Sequence, residues 1–391
     1  MSKADRTMLT VIENIDQLRQ GTCPLLYFSR YRADQVDNGG ARRVAQMLQR
    51  LDGYELEFVS SLTRPAVSGD ADAGGSGTLL NKVGNAVACG RYRKYAAEFA
   101  NWIFFGRRLA RRWVRALEGR DNVRLVIVDD PIFFAPLVRA LHKRKIPVIA
   151  HCHNIETLSR GQVKENHQRQ LLLEELELLG LCQAAITISR EETFLLRNLG
   201  LQAFHLSYYP PSAIERRLLA VRQLRMQTVK KDFLLLGSAG NPPTRRGMQQ
   251  IIALWENAAP LPTGDRLIVA GFGTDILRTG GCGAGVDFAG VVTDAELDDI
   301  LARVRATLVF QEDGAGALTR IAEFLLAGVP VVANSHAARS YYNLPGVIEF
   351  TDTAELLLLL RNSLPESLEI CPPKAPDSAV LSKFIDSILG E

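Results

Sequence analysis

The sequence predicts an α/β protein with two domains, each built around a parallel sheet. The chain has 391 residues, which exceeds the usual size of one compact domain and favours two cores. Short apolar runs rich in β-branched residues alternate with helical-period segments from end to end, as in parallel sheets joined by crossover helices. A hydrophobic content of 47% and a charged content of 23% exclude a disordered or fibrous chain.

Twelve apolar runs predict the strands. Those in the first half form one sheet and are 24–29, 54–60, 123–128, 146–151, 183–188 and 203–208. Those in the second half form a similar sheet and are 232–237, 266–271, 286–290, 306–310, 329–333 and 347–351. Between them, 209–231 opens with two prolines and continues as a charged helical segment, typical of an interdomain connection. We therefore predict domains at 1–210 and 211–376, with a terminal helix in 377–391 that can pack back on the first domain.

Charge and cysteine usage exclude several classes of protein. Lys and Arg number 46 against 43 acidic residues, a net charge of +3 that does not favour nucleic-acid binding. Six scattered cysteines without metal-ligand spacing indicate a reducing compartment. The N-terminal residues lack a secretory signal, and no run of about 18 uncharged apolar residues occurs. We expect a cytoplasmic protein, with the inner face of a membrane as an alternative place of work.

The stretch 306–333 is a strand, a glycine loop, a helix and a second strand. Gly314 and Gly316 allow a close approach of backbone to ligand, and a helix starting near Ala317 directs its free N–H groups at the loop. We expect an anion there. Glu323, in the second turn of this helix, can accept two hydrogen bonds from a vicinal diol such as a ribose. The alternative is a solvated glutamate on an ordinary helix.

The stretch 237–247 predicts a second anion contact. It follows a strand and opens a helix predicted at about Met248, so backbone N–H groups and Arg245 or Arg246 can bind a diphosphate. A solvated arginine pair on a turn is the alternative. No Asp-x-Asp pair at a strand end indicates a metal, so we expect cations and helix termini to stabilise the charge of a bound diphosphate.

Two segments of the first domain are candidates for the opposite side of a cleft. Gly39 and Gly40 precede an amphipathic helix, for which Asn38 is the expected N-cap. The segment 150–157 leaves a strand at its carboxyl end, where open α/β sheets bind ligands. We expect His153 to contact a bound ligand and Glu156 to act as a general base. A metal held by the two histidines of this segment lacks further ligands.

Residues 91–124 carry a local basic excess, in which Arg120 is counted, and predict a basic surface. On a helical wheel over 99–117, aromatic residues share one face and arginines lie opposite, a pattern suited to an anionic membrane surface. An ordinary core-facing helix with a solvated basic face explains the same pattern.

The pattern Gly-x-Gly-x-x-Thr-Arg-x-x-Glu-x-x-x-x-Gly-x-Pro-Val-Val, from Gly314 to Val332, resembles the donor-binding segment of nucleotide-sugar glycosyltransferases of the GT-B fold, especially family 4. Segments at 39–43, 153–156, 188–189 and 237–247 resemble the same family in the same order. The resemblance implies two Rossmann-like domains facing a central cleft and a nucleotide-sugar donor, so the expected ligand of His153 is a donor sugar or an acceptor. We expect neither a cofactor nor a metal. The donor contacts it implies, with those argued above, are Glu323, Gly314, Gly316, Ala317, Leu318, Thr319, Arg320, Arg245, Arg246, Asn241 and Gly40.

The sequence departs from this family at one position. Many members have a second glutamate eight positions before the one matching Glu323, and this chain has Ala315 there. The resemblance implies a hexosyltransferase acting with retention on a glycan or lipid-linked acceptor, in cell-surface polysaccharide biosynthesis. Alternatives are an inverting transferase or nucleotide-sugar epimerase on the same fold, and a binding protein without turnover, which Ala315 favours.

Overall fold

The computed structural model describes residues 9–12, 15–34, 36–60, 113–159, 165–257, 264–278, 285–362 and 369–390. The first domain is organised around seven parallel strands in the order β1-β3-β2-β4-β5-β6-β7. Residues of β2 to β6 are buried along their whole length, which explains why they form continuous apolar runs. The strands are β1 (Leu9–Ile12), β2 (Leu25–Ser29), β3 (Leu56–Ser60), β4 (Leu125–Asp129), β5 (Val148–His151), β6 (Ala184–Thr187) and β7 (Ala203–His205).

Helices cover both faces of this sheet. Asn38 caps the second of them, its side chain accepting from Ala41 N, as the sequence predicts. One core contains Phe28, Trp113 and Phe134, and a second contains Tyr27 and Met47. The described helices of this half are α1 (Ile15–Gln20), α2 (Gly39–Arg50), α3 (Ala135–Lys143), α4 (Glu156–Ser159), α5 (Glu165–Gly180) and α6 (Arg190–Asn198).

The second domain has six parallel strands in the order β10-β9-β8-β11-β12-β13. They are β8 (Phe233–Leu236), β9 (Leu267–Ala270), β10 (Val286–Gly290), β11 (Ala306–Val309), β12 (Val331–Asn334) and β13 (Val347–Phe350). Around them lie α7 (Ser212–Arg225), α8 (Pro242–Asn257), α9 (Asp294–Arg303), α10 (Thr319–Leu326), α11 (Ser335–Ala338), α12 (Thr353–Arg361) and a short 3-10 helix (Thr274–Leu277). The last helix, α13 (Ser378–Leu389), lies against the first domain.

All twelve predicted strands are present, and the α/β prediction is confirmed. The first sheet has a seventh strand, β1, which the sequence analysis missed because three of its four residues are exposed at the sheet edge. The helix predicted at about Met248 begins six residues earlier, at Pro242, because proline suits the first helical position. The helix predicted near Ala317 begins at Thr319, since Gly316 has a left-handed φ of 72°.

The predicted interdomain connection, 209–231, contains α7, and this helix packs in the core of the second domain. Ile214, Leu218 and Val221 of α7 pack with residues of α10. From the chain's end, Leu381 and Ile385 of α13 enter the core beneath α2, and Tyr54 Oη donates to Asp386 Oδ1 at 2.6 Å.

Most of the basic segment 91–124 lies outside the described residues. Within the described part, Trp113 is buried between Phe28 and Phe134, and Arg115 is exposed. Arg120 is 4% exposed and pairs with Glu57 at 2.7 Å, so counting it toward a basic surface was wrong. No helix among the described residues is long and apolar enough to span a bilayer.

Candidate functional site in the interdomain cleft

The glycine loop of the second domain contacts the strand ends of the first. Gly316 N donates to Glu192 Oε1 at 3.1 Å, and Ile155 N donates to the same oxygen at 2.7 Å. A Cβ on Gly316 would lie 2.8 Å from His153 O, which is too close for any other residue. Because Gly316 also has a positive φ, glycine is required here by both backbone conformation and close approach.

Glu323 lies in the seam between the domains with its carboxylate held at both oxygens. Tyr208 Oη donates to Oε1 at 2.6 Å, and Arg42 Nη1 donates to Oε2 at 2.5 Å. Burial, and then the adjacent carboxylate, raise the pKa of Tyr208, so the phenol keeps its proton and donates. Each carboxylate oxygen retains a lone pair for a further donor such as a ribose hydroxyl. Neither Arg42 nor Tyr208 was among the predicted site residues.

Arg320 lies one turn before Glu323, on the same face of α10. A Cβ built on Gly237 would lie 3.6 Å from Arg320 Nη1, which places the guanidinium beside the loop that enters α8. Its Nε is buried and has no hydrogen-bond partner among the described residues. Burial, and then the nearby charge of Arg339, lower the pKa of Arg320 to about 10. A cation without a counter-charge at a helix N-terminus is suited to an anion.

The two arginines of α8 have different surroundings. Arg246 pairs with Asp313, the residue before the glycine loop, so its charge is already compensated. Arg245 is partly exposed, and its side chain forms no bond with any described residue. Asn241 has an exposed side chain, and its carbonyl accepts from Arg245 N at 2.8 Å as α8 begins.

On the opposite edge, His153 pairs with Asp129. The Nε2 atom of His153 bonds to Asp129 Oδ1, and Ser29 Oγ donates to Asp129 Oδ2 at 2.7 Å. Burial disfavours the imidazolium, but the Asp129 carboxylate outweighs it, so the pKa of His153 lies above its usual value. Asp129 was not among the predicted site residues, although a doubled aspartate at the carboxyl end of β4 was an available signal.

Glu156 and His151 flank this pair. Glu156 is partly buried at the start of α4, close to Arg30 and Tyr31, and the Tyr31 ring lies 5.7 Å from that of His153. The two histidine rings are neighbours at 5.5 Å, but His151 Nδ1 is bonded to Tyr27 Oη at 2.7 Å. Among the described residues, no group of three or more His, Cys, Asp or Glu side chains is arranged so that it could hold a metal ion.

Arg339 fixes the backbone of the glycine loop. Its guanidinium donates to Gly316 O at 2.5 Å and to Ala315 O at 2.9 Å, while His336 Nε2 bonds to Gly314 O at 3.0 Å. Burial lowers the pKa of Arg339 despite the facing carboxylates of α6. Arg339 follows β12 by five residues, too far along the chain for the loop pattern to predict it.

The remaining predicted contacts lie where the two glycine motifs meet. A Cβ on Gly39 would be 3.1 Å from Thr319 Oγ1, and one on Gly40 would overlap the Tyr31 hydroxyl. Leu318 is the N-cap of α10 and supplies no side-chain bond, so the N–H groups of the first turn receive no side-chain cap. Ala317 and Leu318 pack against the second core. The structure thus brings these residues together at one seam.

Comparison with known proteins supports this architecture. The chain matches no family model and no curated protein sequence. It is similar to the structure of HepE from Anabaena in complex with UDP and glucose, with 13% identity, 94% of this chain and 99% of that chain covered, and a TM-score of 0.57. It is also similar to trehalose 6-phosphate synthase from Burkholderia multivorans, with 13% identity, 98% of this chain and 98% of that chain covered, and a TM-score of 0.55. A third similar structure is sucrose-phosphate synthase from Thermosynechococcus elongatus, with 14% identity, 85% of this chain and 88% of that chain covered, and a TM-score of 0.54.

These likenesses establish the fold. The chain has the GT-B fold, with two Rossmann-like parallel-sheet domains facing a central cleft, as the sequence predicts.

Proposed function

We propose that this protein is a glycosyltransferase that moves a sugar from a nucleotide-sugar donor to a glycan or lipid-linked acceptor, with retention. The observation that carries the proposal is the placement of Arg320 and Glu323 one turn apart on α10. An arginine without a counter-charge lies at the entry of α8, and an ionisable carboxylate lies at the domain seam. Such a pair suits a diphosphate joined to a ribose.

In the proposed complex with the donor, the diphosphate lies between the N-terminus of α8 and Arg320, and Arg245 contacts it from the first turns of α8. The ribose diol bonds to Glu323, whose carboxylate is already oriented by Arg42 and Tyr208. Glycosyl transfer breaks the bond between the anomeric carbon and the diphosphate, which leaves with added negative charge. The cations and the helix N-terminus stabilise that charge without a metal.

The sugar then projects toward the strand ends of the first domain. His153, held by Asp129, donates to a sugar hydroxyl, and the glycine loop fixed by Arg339 closes over the other side. The acceptor hydroxyl oxygen bonds to the anomeric carbon on the face from which the diphosphate leaves, which retains the anomeric configuration, and its proton passes to Glu156. The sugar hydroxyl normally held by a glutamate meets Ala315 here, so this contact must come from another group.

The acceptor is proposed only as a class of molecule, a glycan or a lipid-linked acceptor. A lipid-linked acceptor and an anionic membrane surface rest on the basic pattern of 99–117, most of which lies outside the described residues. The buried Trp113 does not contribute to such a surface. Roles in cell-surface polysaccharide synthesis and in the cytoplasm belong to the same proposal.

One observation favours a second candidate, a protein that binds the donor without turnover. Position 315 carries no carboxylate, and the backbone there is engaged by Arg339. Purified protein incubated with UDP-sugars separates the candidates, because release of UDP above an enzyme-free control requires turnover. The anomeric configuration of the product separates retention from inversion or epimerisation.

Calorimetry tests the donor site. UDP is the first probe because HepE, which this chain resembles in fold, forms a complex with UDP. We expect Arg320→Gln to weaken the binding of UDP about 10–150-fold and to leave the binding of uridine unchanged, because only UDP carries the diphosphate anion. Arg303→Gln, on the exposed surface of α9, is the matched control. Equal losses for UDP and uridine would remove Arg320 from the diphosphate site, and no binding of any nucleoside diphosphate would reject the function.

A further inference from the structure

The residue after Arg42 is a second arginine whose environment is very different. The Arg43 side chain is 0% exposed, and its Nη1 donates to Gln46 Oε1 at 2.8 Å. Its Nε and Nη2 atoms are buried and have no hydrogen-bond partner among the described residues. Leaving a charged donor in this state is costly, and buried charges in proteins are normally paired.

No carboxylate is among the groups that most affect Arg43. Burial lowers the pKa of Arg43 to about 10, and its strongest electrostatic neighbours are three tyrosines and a cysteine: Tyr27, Tyr341, Cys152 and Tyr208. The acids of the cleft are engaged elsewhere, Glu323 by Arg42 and Asp129 by His153. The guanidinium therefore carries a charge that the surrounding protein does not neutralise.

Two other buried polar atoms near Arg43 also lack partners within the described chain. They are His151 Nε2, in a side chain that is 0% exposed, and Tyr341 Oη, in one that is 4% exposed. The charge of Arg43 acts on both groups, which places them in one neighbourhood. His151 bonds to Tyr27 Oη through Nδ1, and in the tautomer with the proton on Nε2 that second nitrogen is a free donor.

We propose that Arg43, His151 and Tyr341 form a buried binding site for a small monovalent anion, such as chloride, at the seam of the two domains. All three groups can donate hydrogen bonds, and together they carry one formal positive charge, which favours one negative charge. Arg43 and His151 come from the first domain, and Tyr341 comes from the second. The ion therefore joins the domains.

This site differs from the proposed donor site. Arg42 extends to Glu323 and is partly exposed, whereas Arg43, on the same turn of α2, has no exposed surface. A nucleotide cannot reach Arg43 without unpacking the helix, but a small ion can enter when the domains separate. Bound anion favours the closed arrangement because it is held from both sides.

Thermal unfolding in sodium chloride and sodium gluconate at equal ionic strength tests the proposal. Gluconate is too large for a closed site. We expect chloride at about a hundred times its Kd to raise the Tm of the parent by about 2–4 °C over gluconate. Arg43→Met and Tyr341→Phe should each remove most of this difference, and Arg50→Met, on the same helix, should retain it. Crystals grown with bromide should show anomalous density among the three side chains.

Several results would overturn the proposal. Equal Tm values for the parent in chloride and gluconate would do so, as would an unchanged chloride response in both variants. A Tm rise with inorganic phosphate but not with chloride would show that the site takes a phosphoryl group. If Arg43→Met does not fold, Tyr341→Phe carries the test alone, since it removes only one hydroxyl. Bromide bound only at other positions would count against the site as well.

Discussion

The two edges of the cleft are built in different ways. On the second domain, Arg320 and Glu323 lie on a single helix, and the glycine loop precedes them directly in the chain. On the first domain, Asp129 is the last residue of β4, whereas His153 and Tyr208 follow β5 and β7, and the three meet only when the sheet forms. A site formed by consecutive residues leaves a pattern in the sequence, whereas a site assembled from separate strands leaves isolated polar residues.

The largest expected effect concerns the edge assembled from separate strands. Asp129 is 0% exposed and binds His153 and Ser29, so Asp129→Asn should lower the free energy of unfolding by about 3–5 kcal/mol, as when a buried pair loses one partner. The pKa of His153 is raised in the folded state. The Asp129–His153 pair therefore stabilises the folded protein fully below about pH 6.5, and this stabilisation declines as the pH rises through the raised pKa.

Urea unfolding of parent and variant between pH 5 and pH 9 measures this difference. We expect the gap between them to be widest at the acid end. A gap that does not change with pH would mean that His153 is neutral in the folded protein and that Asp129 acts only as a hydrogen-bond acceptor.

The contact between the edges can be tested at Gly316. Gly316→Ala should destabilise the protein by about 2–5 kcal/mol, because a left-handed φ strains alanine and the new methyl group meets His153 O. Gly200 has a similar φ of 78° and open space around it, so Gly200→Ala should cost only about 1–2 kcal/mol. Equal losses in thermal unfolding would indicate that the domains do not touch at this point in solution.

On the edge formed by one helix, Glu323→Gln should weaken UDP by about 1–3 kcal/mol in calorimetry, because it removes the charged part of the ribose contact. Uridine should lose a similar amount, and inorganic pyrophosphate should be unaffected. A loss confined to pyrophosphate would place Glu323 near the phosphates and exchange the proposed roles on α10.

The smallest effect distinguishes the two arginines of α8. Arg246→Ala should change UDP affinity by less than about 1 kcal/mol, since its charge is used by Asp313 and the pair is partly solvated. Arg245→Ala should cost about 1–2 kcal/mol, because it is free to contact the diphosphate. The reverse order in calorimetry would show that Asp313 releases Arg246 when the nucleotide binds.

The sequence predicted the parts of this molecule that depend on local order. Twelve strands, the Asn38 cap and the position of Glu323 follow from apolar runs, capping chemistry and a loop pattern. Arg42, Tyr208 and Arg339 could not be predicted, because their partners are far away in the chain. Asp129 left a signal at the end of its strand, but its pairing with His153 did not. The same reason explains Arg120, which was assigned to a basic surface although Glu57 binds it in the interior.

The path of the chain has a mechanical consequence. It passes from the first domain to the second between β7 and α7, and it returns between Ile370, held by Arg222 of α7, and the terminal helix α13. Two bodies joined at two points retain mainly one rotation, about the line through both crossings. Opening of the cleft should therefore follow a door-like swing rather than a free separation, and every opening carries the glycine loop along the same arc away from His153.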